Sequence, residues 1–142
     1  MDIALLTGLR QGDILALKRS NCRKEGLLVV TSKTGRKLLF EWTDELREAT
    51  TRRMSGDVIS MWIVHNKKGY PYSGEGFRTQ WGKYIRNAIK DKKLDPEMRF
   101  AFKDLRIKAG SDSDDDNLLG HQNRAVLYRH YKRKAIKVRP SK

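Results

Sequence analysis

The stretch Thr7-Gly-Leu-Arg-Gln-Gly-Asp13 decides the first corner of the fold. It follows the apolar run Ile3 to Leu6, and a glycine directly after such a run is a common helix C-cap. We therefore predict that a helix ends at Gly8 and that a short second helix runs from Gln11 to Lys18. Arg10 then lies just after the helix cap, at the start of the second helix.

The charge balance is the strongest global property of the chain. Its 142 residues are enough for one domain with a core. Thirty-one Lys and Arg against seventeen Asp and Glu give a net charge of +14. Such a field attracts polyanions and raises their rate of encounter, and nucleic acid is the usual partner. On charge alone, a generally basic surface remains the alternative.

Cysteine content and hydropathy bear on where the protein works. Cys22 is the only cysteine, so no internal disulfide can form, which fits a reducing cytosol. The apolar runs are too short to cross a bilayer, and Met1-Asp2 does not open a secretory signal. We expect a soluble, cytoplasmic protein with no membrane partner. Because the chain opens on an apolar periodic stretch without a cap, we also expect a truncated start.

The middle of the chain predicts a small sheet between helices. Two β-rich runs, Gly26 to Thr31 and Lys37 to Trp42, flank a glycine-containing turn at 32–36, which is typical of a hairpin. Thr43 and Ser73 are predicted helix caps. The expected fold class is α+β, mostly α, with a small antiparallel sheet. The remaining predicted elements are a helix over 43–54, a third strand over Val58 to Val64, a helix over 74–92 and a helix from about Asp104.

Three short motifs in the last quarter join the first corner in one pattern. They are Lys103-Asp-Leu-Arg106, Leu118-Leu-Gly-His121 and Arg129-His-Tyr131. In this order, with Thr7-Gly-Leu-Arg10, they resemble the tyrosine recombinases, or phage-integrase family, from Leu5 to Tyr131. The resemblance implies a single catalytic domain over residues 1–142 with the fold of DNA breaking-rejoining enzymes. We expect none of the family's N-terminal core-binding and arm-binding domains within these 142 residues.

The implied reaction is cleavage and rejoining of a DNA strand during site-specific integration or excision. Tyr131 would attack the phosphodiester and form a 3′-phosphotyrosyl link, which a 5′-hydroxyl later reverses. Arg10 and Arg106 would clamp the phosphate, because the planar guanidinium grips two oxygens and stays charged. By analogy with oxyanion donors, each contributes on the order of 3 to 4 kcal/mol to the transition state.

The resemblance assigns roles to four further residues. Lys33 in the hairpin turn corresponds to the general acid, with Lys37 as an alternative. His121 would donate to a non-bridging oxygen. Asp13 would steady the first arginine or the fold. Lys103 stands where the family usually has histidine, as in a minority of phage-type members; it can bind phosphate but is a poorer base for Tyr131.

Two spacings depart from the commonest family pattern. Tyr131 lies ten residues after His121, one more than the usual spacing, and a subset of phage integrases shares this ending. Tyr128 is the alternative nucleophile, with a core aromatic as its simpler interpretation. The segment from Arg106 to His121 is shorter than is typical, which would shift His121 relative to the arginines.

No metal or cofactor is expected. The acidic run at 111–117 lacks the glycine and the closing glutamate of a calcium loop, so a solvated helix start is the favoured interpretation. The implied partner is a double-stranded recombination site, bound as a homotetramer in a bacterial, nucleoid-associated setting, with a monomer possible for the domain alone. The alternatives are a non-catalytic DNA-binding domain of a degenerate integrase and a type IB topoisomerase-like enzyme.

Overall fold

The computed structural model describes residues 1–114 and 118. Within this part of the chain, helices dominate and one two-stranded antiparallel sheet lies between them, which confirms the expected fold class. No helix of the described residues is both long and apolar enough to cross a bilayer. The elements, in chain order, are α1 (Asp2–Thr7), α2 (Gln11–Leu15), β1 (Gly26–Val30), β2 (Lys37–Glu41), α3 (Asp44–Met54), α4 (Gly74–Lys90) and α5 (Phe102–Asp112).

The first corner forms as the sequence predicts, but its second helix is shorter. Gly8 adopts a left-handed conformation with φ 62°, and its N–H donates to the Ala4 carbonyl at 2.9 Å. The prediction that α2 reaches Lys18 is wrong, since it ends at Leu15. Lys18 instead forms an isolated antiparallel bridge with Trp62, and that pairing takes the backbone out of the helix.

The hairpin is confirmed, and its turn is closed by its own threonines. β1 and β2 pair antiparallel, with Gly26 opposite Glu41 at one end and Val30 opposite Lys37 at the other. The Thr31 hydroxyl lies 2.7 Å from that of Thr34. Gly35 has φ 65°, a conformation that favours glycine and allows the tight return of the chain.

The predicted third strand over Val58 to Val64 is wrong. Only Trp62 pairs there, supported by hydrogen bonds from Arg19 N to Met61 O at 2.8 Å and from Ile63 N to Leu17 O at 2.9 Å. The facing segment turns into a 3₁₀ helix at Arg19–Asn21, so it offers no extended edge on which a ladder could continue. The alternation of apolar residues favours an extended backbone here, but it does not supply a neighbouring strand with which to pair.

The core lies between α1, α5, the hairpin and the helices that flank them. Leu17, Leu27 and Ile63 are its fully buried large side chains. Phe77 of α4 meets Phe102 of α5 edge to face at 4.9 Å between ring centroids, a favoured aromatic geometry. The predicted caps of α3 and α4 are confirmed, because the Thr43 and Ser73 hydroxyls accept from the backbone of the first helical turn.

The acidic run does not begin a helix over its described part. α5 ends at Asp112, so the first two residues of the run finish a helix, and the helix start stays a prediction for the residues that follow. Lys108 precedes Asp112 by one helical turn, and its Nζ lies 2.6 Å from Asp112 Oδ2. This pair offsets the unfavourable placement of an acid at the negative end of a helix dipole. Residues 115–117 lie outside the described part.

Candidate active site

The Thr7 to Arg10 turn holds its first three residues inside the protein and turns the fourth outward. Thr7 is 0% exposed; its hydroxyl donates to Ile3 O at 2.6 Å and accepts from Leu9 N at 3.3 Å. Leu9 is buried in the core, while Arg10 is half-buried and occupies the N-cap position of α2. The threonine and leucine of the motif therefore anchor the turn, and the arginine is presented at the edge of the core.

Arg106 reaches this same turn from α5. It is only 8% exposed, and its guanidinium donates a hydrogen bond from Nη1 to the carbonyl oxygen of Gly8. The two residues are 98 positions apart, and α5 packs against α1 along this side. The fold thus brings the Arg106 guanidinium to the backbone of Gly8, two residues before Arg10. A guanidinium can donate to several oxygens at once, which suits the binding of a phosphate.

Asp13 connects the turn to the hairpin. Its carboxylate is buried at 4% exposure, and Oδ1 accepts from the backbone N–H of Ser32 at 2.8 Å. Oδ2 is also buried and makes no hydrogen bond within the described residues. The acid predicted to hold the arginine or the fold in place therefore bonds to the hairpin turn, and ties that turn to α2, which Arg10 caps.

Lys33 follows Ser32 directly in this tethered turn. Its side chain is exposed and makes no ion pair among residues 1–114 and 118. Lys37, the alternative, opens β2 opposite Val30 and is exposed as well. Lys33 is one residue from the bond to Asp13, whereas Lys37 is separated from it by the rest of the turn. The contacts therefore tie Lys33 more closely than Lys37 to the α2 corner.

Lys103 lies in the first turn of α5 and is exposed, three residues before the buried Arg106. Residues three apart are neighbours on a helix surface, so the two cations share one side of α5 at different depths. Asp104 stabilises this end of the helix, since its Oδ2 accepts from Ala101 N at 2.7 Å. The predicted residues His121 and Tyr131, and the alternative Tyr128, lie outside the described residues.

One contact at the site has no signal in the sequence. The Gln11 amide donates from Nε2 to the carbonyl of Gly74 at 3.1 Å. This bond brings the first residue of α4 beside the Arg10 turn, and α2 and α4 pack together. Glutamine after an arginine has no characteristic pattern, and its partner is 63 residues away. Only the folded chain reveals that α4 borders the site.

The sequence matches the profile described as "Phage integrase family" over residues 1–137. The chain belongs to the phage integrase family. This confirms the resemblance that the four motifs indicated. A search of curated proteins found no significant match.

Solved integrase structures share the fold. A lambda integrase dimer bound to a COC′ core site is 23% identical with a TM-score of 0.71, over 97% of this chain and 53% of that one. The lambda integrase catalytic core is 26% identical with a TM-score of 0.64, over 84% and 79%. The Tn1549 transposon integrase in complex with circular intermediate DNA is 16% identical with a TM-score of 0.67, over 94% and 52%.

Length separates this phage-integrase chain from those relatives. It spans about half of the lambda integrase dimer protomer and of the Tn1549 integrase. The described site is built from four separate parts of the chain: the Arg10 turn, the hairpin, the start of α4 and α5. Arg106 and Gln11 donate hydrogen bonds that join these parts, and Asp13 accepts another. Such an arrangement fixes the turns that carry Arg10 and Lys33 before any ligand binds.

Proposed function

We propose that this chain is the catalytic domain of a tyrosine recombinase, which cuts and rejoins DNA at specific sites through a 3′-phosphotyrosyl intermediate. The observation that carries the proposal is the hydrogen bond from Arg106 to Gly8, in the turn that presents Arg10. Membership of the phage integrase family over residues 1–137 agrees with it. The whole protein of which such a domain is part would carry out phage or mobile-element integration and excision.

The two arginines act on the charge of the transition state. The pentacoordinate phosphorane carries more negative charge than the ground-state diester, so Arg10 and Arg106 bind it more tightly than the substrate. Removal of one such donor in other enzymes lowers the rate by roughly 10² to 10³. The burial of Arg106 strengthens its contribution, because charges interact more strongly away from bulk water.

Proton transfers divide between the remaining residues. The Tyr131 phenol gives its proton to solvent water, and its oxygen forms the bond to phosphorus as the bond to the 5′-oxygen breaks. Lys33 donates a proton to that departing oxygen, and a 5′-hydroxyl is released. His121 and Lys103 donate hydrogen bonds to non-bridging oxygens. Attack of a 5′-hydroxyl on the phosphotyrosine reverses these transfers, so no nucleotide or metal cofactor is needed.

Duplex DNA is the proposed substrate and partner. The net charge of +14 supports it, and in structures with the same fold lambda integrase is a dimer on a core site and a tetramer on a Holliday junction. We propose that this chain likewise acts as a homotetramer on paired sites, in the bacterial cytoplasm at the nucleoid. Affinity for DNA should fall steeply with salt, because binding releases counterions.

The experiment is a covalent-capture assay. The 142-residue chain is mixed with a nicked duplex library that has a randomised core, so that a short 5′-hydroxyl fragment diffuses away and traps the adduct. Adducts are separated on a denaturing gel and the captured DNA is sequenced. We expect an adduct with wild type and with Tyr128→Phe, and none with Tyr131→Phe.

The other outcomes each reject a part of the proposal. DNA binding without any adduct would support a non-catalytic DNA-binding domain. An adduct lost in Tyr128→Phe but kept in Tyr131→Phe would mean that the nucleophile is the other tyrosine. Captured DNA without a common sequence, together with relaxation of supercoiled plasmid, would support a type IB topoisomerase-like activity.

A further inference from the structure

Two adjacent lysines sit at the tip of a turn that its own hydrogen bonds hold in place. We call residues Asn66–Tyr70 the lysine loop. Asn66 N donates to Tyr70 O at 2.8 Å, and Asn66 Oδ1 accepts from Lys68 N at 2.8 Å and from Tyr70 N at 3.1 Å. The Ser60 hydroxyl, outside the loop, donates to Gly69 O at 2.8 Å. The backbone of the loop is thus fixed before any partner arrives.

The charge of the lysine loop is not compensated nearby. Lys67 and Lys68 are exposed, and neither makes an ion pair within the part of the chain that the structure describes. The sequence contains no acidic residue between Asp57 and Glu75. A fixed backbone lowers the entropy lost when a loop binds, so two positive side chains on it are well suited to an anionic surface.

The lysine loop precedes the helix α4, whose start borders the Arg10 turn. The bond from Gln11 to Gly74 places the start of α4 beside that turn. Lys68 precedes Gly74 by six residues, so its backbone lies within about 21 Å of Gly74 even if the chain were fully extended. Duplex DNA rises about 3.4 Å per base pair, so this reach corresponds to roughly six base pairs. A duplex that binds at the Arg10 turn and runs along the start of α4 is therefore long enough to reach the lysine loop.

We propose that Lys67 and Lys68 bind backbone phosphates of the duplex a few base pairs from the reacting phosphate. The contacts add affinity and fix the register of the domain on DNA, and they carry no sequence information, as is usual for lysine on phosphate. This inference rests on the proposed function for its partner. It adds a binding surface that is separate from the reacting groups, because neither lysine takes part in the proton transfers.

The test compares two double variants that each remove two charges. One is Lys67→Gln with Lys68→Gln. Its matched control is Lys92→Gln with Lys93→Gln, two exposed lysines just beyond the far end of α4. Seventeen helical residues put that end about 25 Å from Gly74. Binding of the wild-type chain and both variants to the captured duplex, or to the unselected library, is measured by fluorescence anisotropy across a range of KCl concentrations.

The loop variant should bind about 10-fold more weakly near 0.15 M salt, with a slope of log K against log[salt] smaller by about 1.8, since each phosphate contact contributes about 0.9. The control should change the slope by less than half as much. Lys67→Arg with Lys68→Arg should restore both quantities. At saturating DNA, the rate of adduct formation should be the same in all variants.

Each remaining result has a separate meaning. Equal slopes for the loop variant and the wild type overturn the inference and favour another anionic partner, such as an acidic protein surface, while adduct formation leaves the recombinase proposal intact. Equal losses of affinity and of salt slope in the loop variant and the control also overturn the inference. Removal of two positive charges would then weaken binding wherever on the surface they lie. If the loop variant has a reduced salt slope but the wild-type chain forms no adduct, the lysine contacts with DNA are supported and the covalent chemistry is rejected.

Discussion

The arginine corner and the lysine positions of this site are built in opposite ways. We define the arginine corner as Thr7, Gly8, Arg10 and Arg106. Arg106 and Thr7 are buried there, and their hydrogen bonds go to the backbone of α1 and its turn. Lys33 and Lys103 are exposed and form no ion pair among the described residues. The geometry of the arginine corner is therefore part of folding, whereas the two lysine side chains extend into solvent.

The difference has a physical basis in the two cations. Arginine remains charged when it is buried, and its several donors can satisfy the fold and a ligand from one planar group. Lysine is a compact, strongly hydrated charge on a flexible stem, and burial readily lowers its pKa. A change in the arginine corner should consequently alter both stability and activity, while a change at a lysine should alter activity alone. The predictions below run from the largest expected effect on stability to the smallest.

Arg106→Ala should lower the free energy of unfolding by about 2 to 3 kcal/mol, because it leaves the buried Gly8 carbonyl without its donor. Adduct formation should fall by roughly 10² to 10³ or more. Urea titration followed by tryptophan fluorescence gives the first quantity and the covalent-capture assay the second. Lys103→Ala, on the same face of α5, is the control and should stay within about 0.5 kcal/mol of wild type. Equal losses of stability in Arg106→Ala and Lys103→Ala would contradict the contrast between the buried arginine and the exposed lysine.

Asp13→Ala should lower the unfolding free energy by about 1 to 2 kcal/mol, since the Ser32 N–H loses its acceptor. It should also slow cleavage, because the hairpin that carries Lys33 is no longer tied to α2. Asp13→Asn keeps an oxygen at the position of Oδ1 and should retain most of the stability. Amide hydrogen exchange at Ser32 measures the bond directly. Unchanged exchange in the alanine variant would contradict the role of Asp13.

Thr7→Val keeps the shape of the side chain and removes the hydroxyl that bonds to Ile3 and Leu9. We expect a loss of about 1 kcal/mol, which is typical of one net hydrogen bond. Adduct formation should fall less than in Arg106→Ala, because Leu9 still anchors the turn in the core. A variant as stable as the wild type would show that the left-handed Gly8 and the buried Leu9 hold the turn alone.

Lys33→Ala should change the unfolding free energy by less than about 0.5 kcal/mol, as is usual for an exposed side chain. Its cleavage rate should fall by roughly 10² to 10⁴, the usual contribution of general acid catalysis. A substrate with sulfur in place of the bridging 5′-oxygen should restore the rate, since a thiolate leaves without a proton. Lys37→Ala is the matched control on the same hairpin. If the sulfur substrate restores the rate of Lys37→Ala and not that of Lys33→Ala, Lys37 is the general acid.

Local chemistry explains which elements could be predicted. The glycine at position 8, the caps at Thr43 and Ser73 and the glycine-containing hairpin act within a few residues of themselves, and all are confirmed. The prediction over Val58 to Val64 is wrong because alternation of apolar residues indicates a strand without providing a neighbour. The helix start in the acidic run stays a prediction, because α5 ends within the run at Asp112 and residues 115–117 lie outside the described part.

The residue types and order in this sequence determined the family and the candidates for chemistry, because a phosphoryl-transfer site requires fixed cations and a nucleophile in recognisable local motifs. Only the tertiary structure decided that Arg106 bonds to Gly8, that Asp13 holds the hairpin at Ser32, and that Gln11 brings in α4. These contacts join residues between 19 and 98 positions apart. Their formation depends on packing of the whole core, a property that no short stretch of residues contains.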